Sequence, residues 1–131
     1  MNPSEGAATL PAAATTAVLV GTDLPAGAVP VCGLERLTVN RGVCALVEGH
    51  AVALFLLADG TVRALANLDP CSGASVLSRG LVGDVEGEAT VASPMYKQRF
   101  SLLDGRCLDA DGVSVTVHRA GVVEDNVWVA L

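Results

Sequence analysis

Pairs of a polar residue and a glycine cut this chain into short pieces. Asp59-Gly60 separates the apolar run 51–57 from a second run over 61–66, and Glu86-Gly87 separates 81–85 from 88–92. An Asp-Gly pair between two such runs is a strong hairpin signal, because both central residues of the favoured turn need a positive φ. Glu48-Gly49-His50 gives a further turn after residues 43–47, and Asp104-Gly105 ends the alternating stretch 98–103. Residues 113–118, Val-Ser-Val-Thr-Val-His, alternate with period two, and residues 127–131 close the chain as a last strand containing Trp128. Only residues 74–79 have the length and composition for a helical turn. Several short strands divided by turns predict an all-β antiparallel sandwich or barrel with little helix. There is no internal repeat.

Aromatic residues make up 3% of the sequence, so the core has to be built from Val, Leu and Ala. No apolar run approaches the ~20 residues that span a bilayer as a helix. The chain carries 8 basic and 14 acidic residues, a net charge of −6. That balance argues against nucleic acid or an anionic membrane surface as a partner, since both need a basic face. The cysteines, Cys32, Cys44, Cys71 and Cys107, form no C-x-x-C pair, which argues against a zinc knuckle or a thioredoxin-type motif. The first basic residue is Arg36, so the charged start of a secretory signal is missing. Free thiols in a reducing cytoplasm are the expectation.

Residues 1–29 differ in texture from the rest. They hold no basic residue and no aromatic one, and prolines and glycines punctuate them. Such a segment buries too little apolar surface to offset the entropy of ordering, so it is expected to be a disordered extension. Residues 30–131 then form one β domain, long enough to sustain its own core.

Two loops set the chain apart. The first runs Asn67-Leu-Asp-Pro-Cys-Ser-Gly-Ala-Ser-Val-Leu-Ser-Arg-Gly80, and the second contains Ser93-Pro-Met-Tyr-Lys-Gln-Arg99. Together they resemble the cluster-binding loops of Rieske ferredoxins, which read C-P-H-x-G-A and C-P-x-H. A Rieske site holds a two-iron two-sulfur cluster with two thiolates on one iron and two imidazoles on the other. Pro70, Gly73, Ala74 and Pro94 keep that frame. The ligands are gone: Asp69 stands at the first Cys position, Cys71 at the first His, Ser93 at the second Cys and Tyr96 at the second His. Asp, Ser and Tyr are poor substitutes for soft thiolates, and one thiol cannot hold a cluster. No cluster and no metal is therefore expected in this chain.

From about residue 31 to the end, the chain resembles the small subunit of the assimilatory NAD(P)H-dependent nitrite reductase. The supporting segments are residues 42–47, 67–70, 74–80, 91–94, 97–98 and 104–108. The resemblance implies a Rieske-like β-sandwich with two protruding loops and no cluster of its own. It also implies an accessory role beside a large subunit that carries FAD, an iron–sulfur cluster and sirohaem and reduces nitrite to ammonium. A degenerate Rieske-fold interaction module of another oxidoreductase complex is the alternative.

The remaining expectations concern single residues. Arg79, Lys97 and Arg99 gather around Tyr96 on these loops of an acidic protein, so Arg79, Tyr96, Lys97 and Arg99 are candidates for partner docking. A hydrogen bond between Asp69 and Ser93 would take over the bracing that a cluster supplies. Cys71 is expected to be inert, because no basic neighbour in sequence lowers its pKa. Cys44, inside an apolar strand, is expected in the core, and Cys107 as a packed thiol. His50 and His118 lie far from both loops and read as structural. No catalytic residue is expected, because there is no nucleophile elbow, G-x-G-x-x-G or P-loop.

Overall fold

The expected turns form, two of them with positive φ at both central residues, whereas at Asp59-Gly60 and Asp104-Gly105 only the glycine takes it. Glu48-Gly49 and Glu86-Gly87 both place two consecutive residues at positive φ (50° and 85°, 51° and 87°). That is the geometry whose twist matches the flanking strands, and glycine takes its second position without a Cβ penalty. At Asp59-Gly60 the Asp59 carboxylate accepts from the Thr61 N–H at 3.0 Å and the Thr61 hydroxyl at 2.7 Å, closing the turn locally.

The computed structural model describes residues 26–131. The extension expected over residues 1–29 lies outside them as far as residue 25. The first strand, β1 (Ala28–Gly33), takes up the last two residues of that segment. It is followed by β2 (Gly42–Val47), β3 (His50–Leu56), β4 (Val62–Ala66), β5 (Leu81–Val85), β6 (Glu88–Ala92), β7 (Arg99–Ser101), β8 (Val117–Val123) and β9 (Asn126–Ala130). Two short 3-10 turns, Leu34–Arg36 and Leu77–Arg79, are the only helical pieces among the described residues. The described residues are thus almost all β.

Six strands form one sheet in the order β1-β9-β8-β4-β3-β2, and three form a second in the order β5-β6-β7. Every strand pairing is antiparallel. β3 and β4 are the shared wall. Val52, Leu54, Val62 and Ala64 face a core closed by β1, β2 and β9, where Val31, Ala45, Val47, Val127 and Val129 are buried. Ala53, Phe55, Leu57 and Leu65 face a second core against Leu77, Val91, Phe100 and Leu102. A strand buried on both faces reads as a continuous apolar run rather than an alternation, which is why residues 51–57 show no polar face. Truncating Leu54 or Phe55, both without exposed surface, to Ala should cost about 3–5 kcal/mol.

Two expectations need correction. β2 belongs to the curled sheet with one face inward, so alternation buries Ala45 and Val47 and turns Cys44 and Leu46 outward. Cys44 is exposed, not core. The strand expected over 113–118 is displaced: residues 113–116 run irregularly, and β8 begins at Val117. It turns into β9 at Glu124-Asp125, a pair at positive φ that lacks the glycine signal.

The smaller sheet positions the two loops. Loop one leaves β4 and returns into β5, while loop two joins β6 to β7. A Cβ at Gly80 would lie 2.4 Å from the carbonyl oxygen of Ala92. Only glycine allows that approach, which sets the end of loop one against the root of loop two.

Candidate functional site

Loop one is anchored by Asn67, a buried residue that the sequence reading did not single out. Its side-chain oxygen accepts from the Ser78 N–H at 2.7 Å, and its amide donates to the Ser75 hydroxyl at 3.0 Å. Its carbonyl accepts from the Leu77 N–H at 3.0 Å. One asparagine thereby holds the far half of the loop onto the end of β4.

Asp69 organises the near half. It has no exposed surface, and neither has Ser93. The Ser93 hydroxyl donates to one Asp69 carboxylate oxygen at 2.6 Å, across 24 residues of sequence. The Ser72 hydroxyl donates to the same oxygen at 2.9 Å, and the Cys71 N–H donates to the other at 2.8 Å. Ser72 in turn accepts from the Ala74 N–H, and Ser93 from the Met95 N–H, each at 3.2 Å. Burial alone would raise the Asp69 carboxyl, but the hydrogen bonds from Ser93, Cys71 and Ser72 outweigh it and hold it below the usual range. The carboxylate is therefore ionised, and it ties both loops together.

The four residues at the frame's ligand positions do not converge. Asp69 and Ser93 are bonded to each other. Cys71 is half-buried beside the second core, and Tyr96 is 61% exposed. Burial raises the Cys71 thiol above its ordinary value, and the nearby Asp69 and Cys107 add to that, so it stays protonated and unreactive. A two-iron cluster needs four free donors pointing at one centre. Here the carboxylate is fully engaged, one hydroxyl is spent on it, and the phenol points into solvent, so these residues do not fit a cluster. Among the described residues, no group of three or more His, Cys, Asp and Glu side chains is arranged to hold a metal ion.

The four docking candidates separate in the same way. Arg99 forks onto Asp109, with its Nη2 2.7 Å from one carboxylate oxygen and its Nε 3.1 Å from the other. The Arg99 N–H also donates to Asp109, at 2.8 Å. Asp109 is pulled down to about 2 by the Arg99 side chain first and by that backbone bond second. Arg99 is thus a brace across the base of loop two, and its charge is answered. Arg79 and Lys97 are exposed and make no ion pair among the described residues. On loop two Tyr96 and Met95 (48% exposed), and on loop one Leu68 (51% exposed), present apolar surface to solvent. Lys97 adjoins Tyr96 in loop two, whereas Arg79 ends the 3-10 turn that packs against β2 and β3. His118 lies away from both loops, its pKa lowered by burial and then by His50.

Comparison with known proteins places this arrangement. The family model described as a Rieske-like [2Fe-2S] domain matches residues 28–130. The nitrite reductase (NADH) small subunit of Salmonella typhimurium is 44% identical over 93 residues, which cover 70% of this chain and 86% of that protein. A crystal structure from Mycobacterium tuberculosis, described as an NADH-dependent nitrite reductase small subunit, superposes with a TM-score of 0.77 at 49% identity. It covers 79% of this chain and 94% of that one. The nitrite reductase [NAD(P)H] large subunit of Klebsiella oxytoca is 43% identical over 99 residues, 76% of this chain and 10% of that protein. In that relative, a domain like this one is part of the large subunit's own chain. The protein described here belongs to the Rieske-like domain family and, within it, to the nitrite reductase small subunits.

Proposed function

We propose that this chain is the accessory small subunit of an NAD(P)H-dependent nitrite reductase in the cytoplasm. It binds the large subunit, where FAD, an iron–sulfur cluster and sirohaem carry nitrite to ammonium. The observation that carries the reading is the Asp69–Ser93 hydrogen bond inside a chain of this family. It closes the two loops on each other without a metal, so the chain contributes a fixed shape rather than an electron-carrying centre. The Klebsiella relative, in which a similar domain shares a chain with the large subunit, supports that partner.

The contact face of this reading is the loop tip. Tyr96, Met95 and Leu68 supply apolar area, and Arg79 and Lys97 supply charge that an acidic surface on the large subunit would answer. Arg99 supports the tip from beneath through Asp109 rather than reaching the partner.

Co-purification tests the proposal. The large subunit, expressed with and without this chain, is assayed for binding and for nitrite-dependent oxidation of NADH or NADPH. Stable association that raises yield or activity supports the reading. A large subunit that ignores this chain, with unchanged yield and turnover, refutes it. Near-stoichiometric iron and acid-labile sulfide in the anaerobically purified chain would refute the cluster-free role.

A further inference from the structure

The two sheets have four outer strands, β1 and β2 on the larger and β5 and β7 on the smaller. An outer strand presents unpaired N–H and C=O groups that invite another chain, so such edges are usually blunted. β1 carries Pro30, which has no N–H, and its register with β9 shifts between Pro30 and Cys32. β5 holds Gly83 and the charged Asp84, and β7 is only 3 residues long. β2 has none of these devices. Its sequence, Gly42-Val-Cys-Ala-Leu-Val47, contains no charge and no proline, and all 6 residues stay in register with β3.

The turn shows which groups lie on that edge. Glu48-Gly49 is a two-residue loop, so Val47 and His50 exchange both main-chain hydrogen bonds, and the pairs Ala45–Val52 and Val43–Leu54 repeat the pattern. The N–H and C=O groups of Gly42, Cys44 and Leu46 therefore point away from β3, and no turn or loop hydrogen bond takes them up among the described residues. Cys44 is exposed and Leu46 is 62% exposed, so solvent reaches this side of the sheet. Arg41 and Glu48 stand at the two ends of the strand, both exposed and neither in an ion pair among the described residues.

We infer that β2 is a self-association edge, on which a second copy of this chain lays its own β2 antiparallel, so that one sheet runs through both molecules. The strand complements itself. Matching the pleats requires the two-fold axis to pass through an opposed pair of identical residues. An axis at Ala45 sets Cys44 opposite Leu46 of the second copy and Leu46 opposite its Cys44, each pair exchanging both main-chain hydrogen bonds. A small side chain meets a large one twice, and the exposed apolar side chains of both copies gather on one face. The same axis brings Glu48 of each copy beside Arg41 of the other, which favours the antiparallel arrangement. An axis at Cys44 would instead set Leu46 against Gly42, where the Ser78 carbonyl oxygen already lies 2.2 Å from the position of a Cβ. A single strand edge buries less than the ~1,200 Å² of a standard stable interface, so the dimer is weak and forms as concentration rises. The inference stands independently of the large-subunit reading.

Sedimentation of the full chain is measured from about 10 μM to about 1 mM, in a reductant that keeps Cys44 from forming a disulfide. The salt is about 0.15 M, which screens the repulsion between two chains of net charge −6. Backbone amide exchange is followed at the lowest and highest concentrations. The inference requires the mass to climb from that of the 13.2 kDa chain toward twice that value. It also requires the Cys44 and Leu46 amides to exchange at least threefold more slowly in the concentrated sample, while those of Val43, Ala45 and Val47, already bonded to β3, stay unchanged. Leu46→Lys should abolish the rise in mass. Arg41→Glu should weaken association at least threefold, and adding Glu48→Arg to it should restore it. A mass that stays at one chain throughout overturns the inference. So does a dimer that Leu46→Lys leaves intact, or one that forms without slowing the Cys44 and Leu46 amides, because its contact would lie elsewhere. Slowing that appears only when the large subunit is added would give the edge to that partner and would also overturn it. The amide comparison uses the native chain, so it decides the matter even where a variant folds poorly.

Discussion

Asp69→Asn removes a charge and keeps the shape, so it isolates what the carboxylate does. Asp69 has no exposed surface and accepts three hydrogen bonds, at 2.6, 2.8 and 2.9 Å, from Ser93, the Cys71 N–H and Ser72. An asparagine can keep only one oxygen. The Cys71 N–H cannot reverse its role, so the amide oxygen must stay with it and the NH2 must face two hydroxyls. Both hydroxyls then have to turn round and accept, and their own protons lose the carboxylate. Two charge-assisted bonds become neutral ones, at about 1–4 kcal/mol in all, since hydrogen bonds to charged groups contribute about 1.5–3 kcal/mol each against about 1 for neutral ones. For a domain of this size each kcal/mol moves the melting temperature by roughly 4–8 °C, so the middle of that range corresponds to a loss of about 10–20 °C at pH 7.

The pH dependence sharpens the test. The folded-state pKa of Asp69 is depressed, so its stabilisation is present above the ordinary carboxylate range and lost as pH falls through the depressed value. The native chain and Asp69→Asn should therefore converge in melting temperature as the pH is lowered past that point. Scanning calorimetry from pH 7 to pH 2 measures it. Equal stability of the two proteins at pH 7 would refute the reasoning. So would a gap that persists undiminished in acid, because the loss would then come from packing rather than from charge.

Three further outcomes follow from the same structure. Cys44→Ser should leave the melting temperature within a degree or two, and Cys44 should be the first thiol to react with a bulky disulfide reagent under native conditions. A fast-reacting Cys107, which is only 8% exposed, would contradict the packing described. Glu88 and Asp109 are each held near 2, by Arg106 and by Arg99 respectively, so their pairs persist above the ordinary carboxylate range and fail as pH falls toward 2. A double variant Glu88→Gln/Asp109→Asn should accordingly lose part of the acid-side slope of stability against pH, and an unchanged slope would refute that assignment. Removing residues 1–29 should cost more stability than removing 1–25, because Ala28 and Val29 pair with Ala130 and Val129; equal melting curves would show that the start of β1 is dispensable.

Much of the fold was legible because turn chemistry is local. Glu86-Gly87 and Asp59-Gly60 specify their hairpins within four residues, so β3 to β6 fall where the sequence places them. The errors occur where structure depends on distant partners. Cys44 lies in a run with no polar residue, and a single sequence cannot say which of its faces meets the core; the answer comes from the packing of the sheet, which turns Ala45 and Val47 into the first core and Cys44 to solvent. β8 was displaced because Val113-Ser-Val-Thr-Val alternates well in isolation. Residues 119–123 take the strand because β9 pairs with them, through a Glu124-Asp125 turn that carries no glycine. At the site, the Asp69–Ser93 contact was foreseeable from two degenerate motifs, whereas Asn67 was not. Its role exists only once the loop has folded back and brought Ser75 and Ser78 to it.

Replacing a cluster by a hydrogen bond changes what the two loops can be used for. A metal cluster joins its loops through four bonds to a redox centre near the surface, and the loops then depend on its loading and oxidation state. Asp69 and Ser93 join the same two loops directly, oxygen to oxygen at 2.6 Å, with no exchangeable part. The two loops are held by Asn67, Asp69 and the Arg99–Asp109 fork, none of which a chelator can strip away. What this arrangement gives up is a centre through which electrons could pass. The surface that remains on loop two is the exposed side chains of Tyr96, Met95 and Lys97. Preorganised side chains lose little entropy when they bind, so even a small tip contact can be specific.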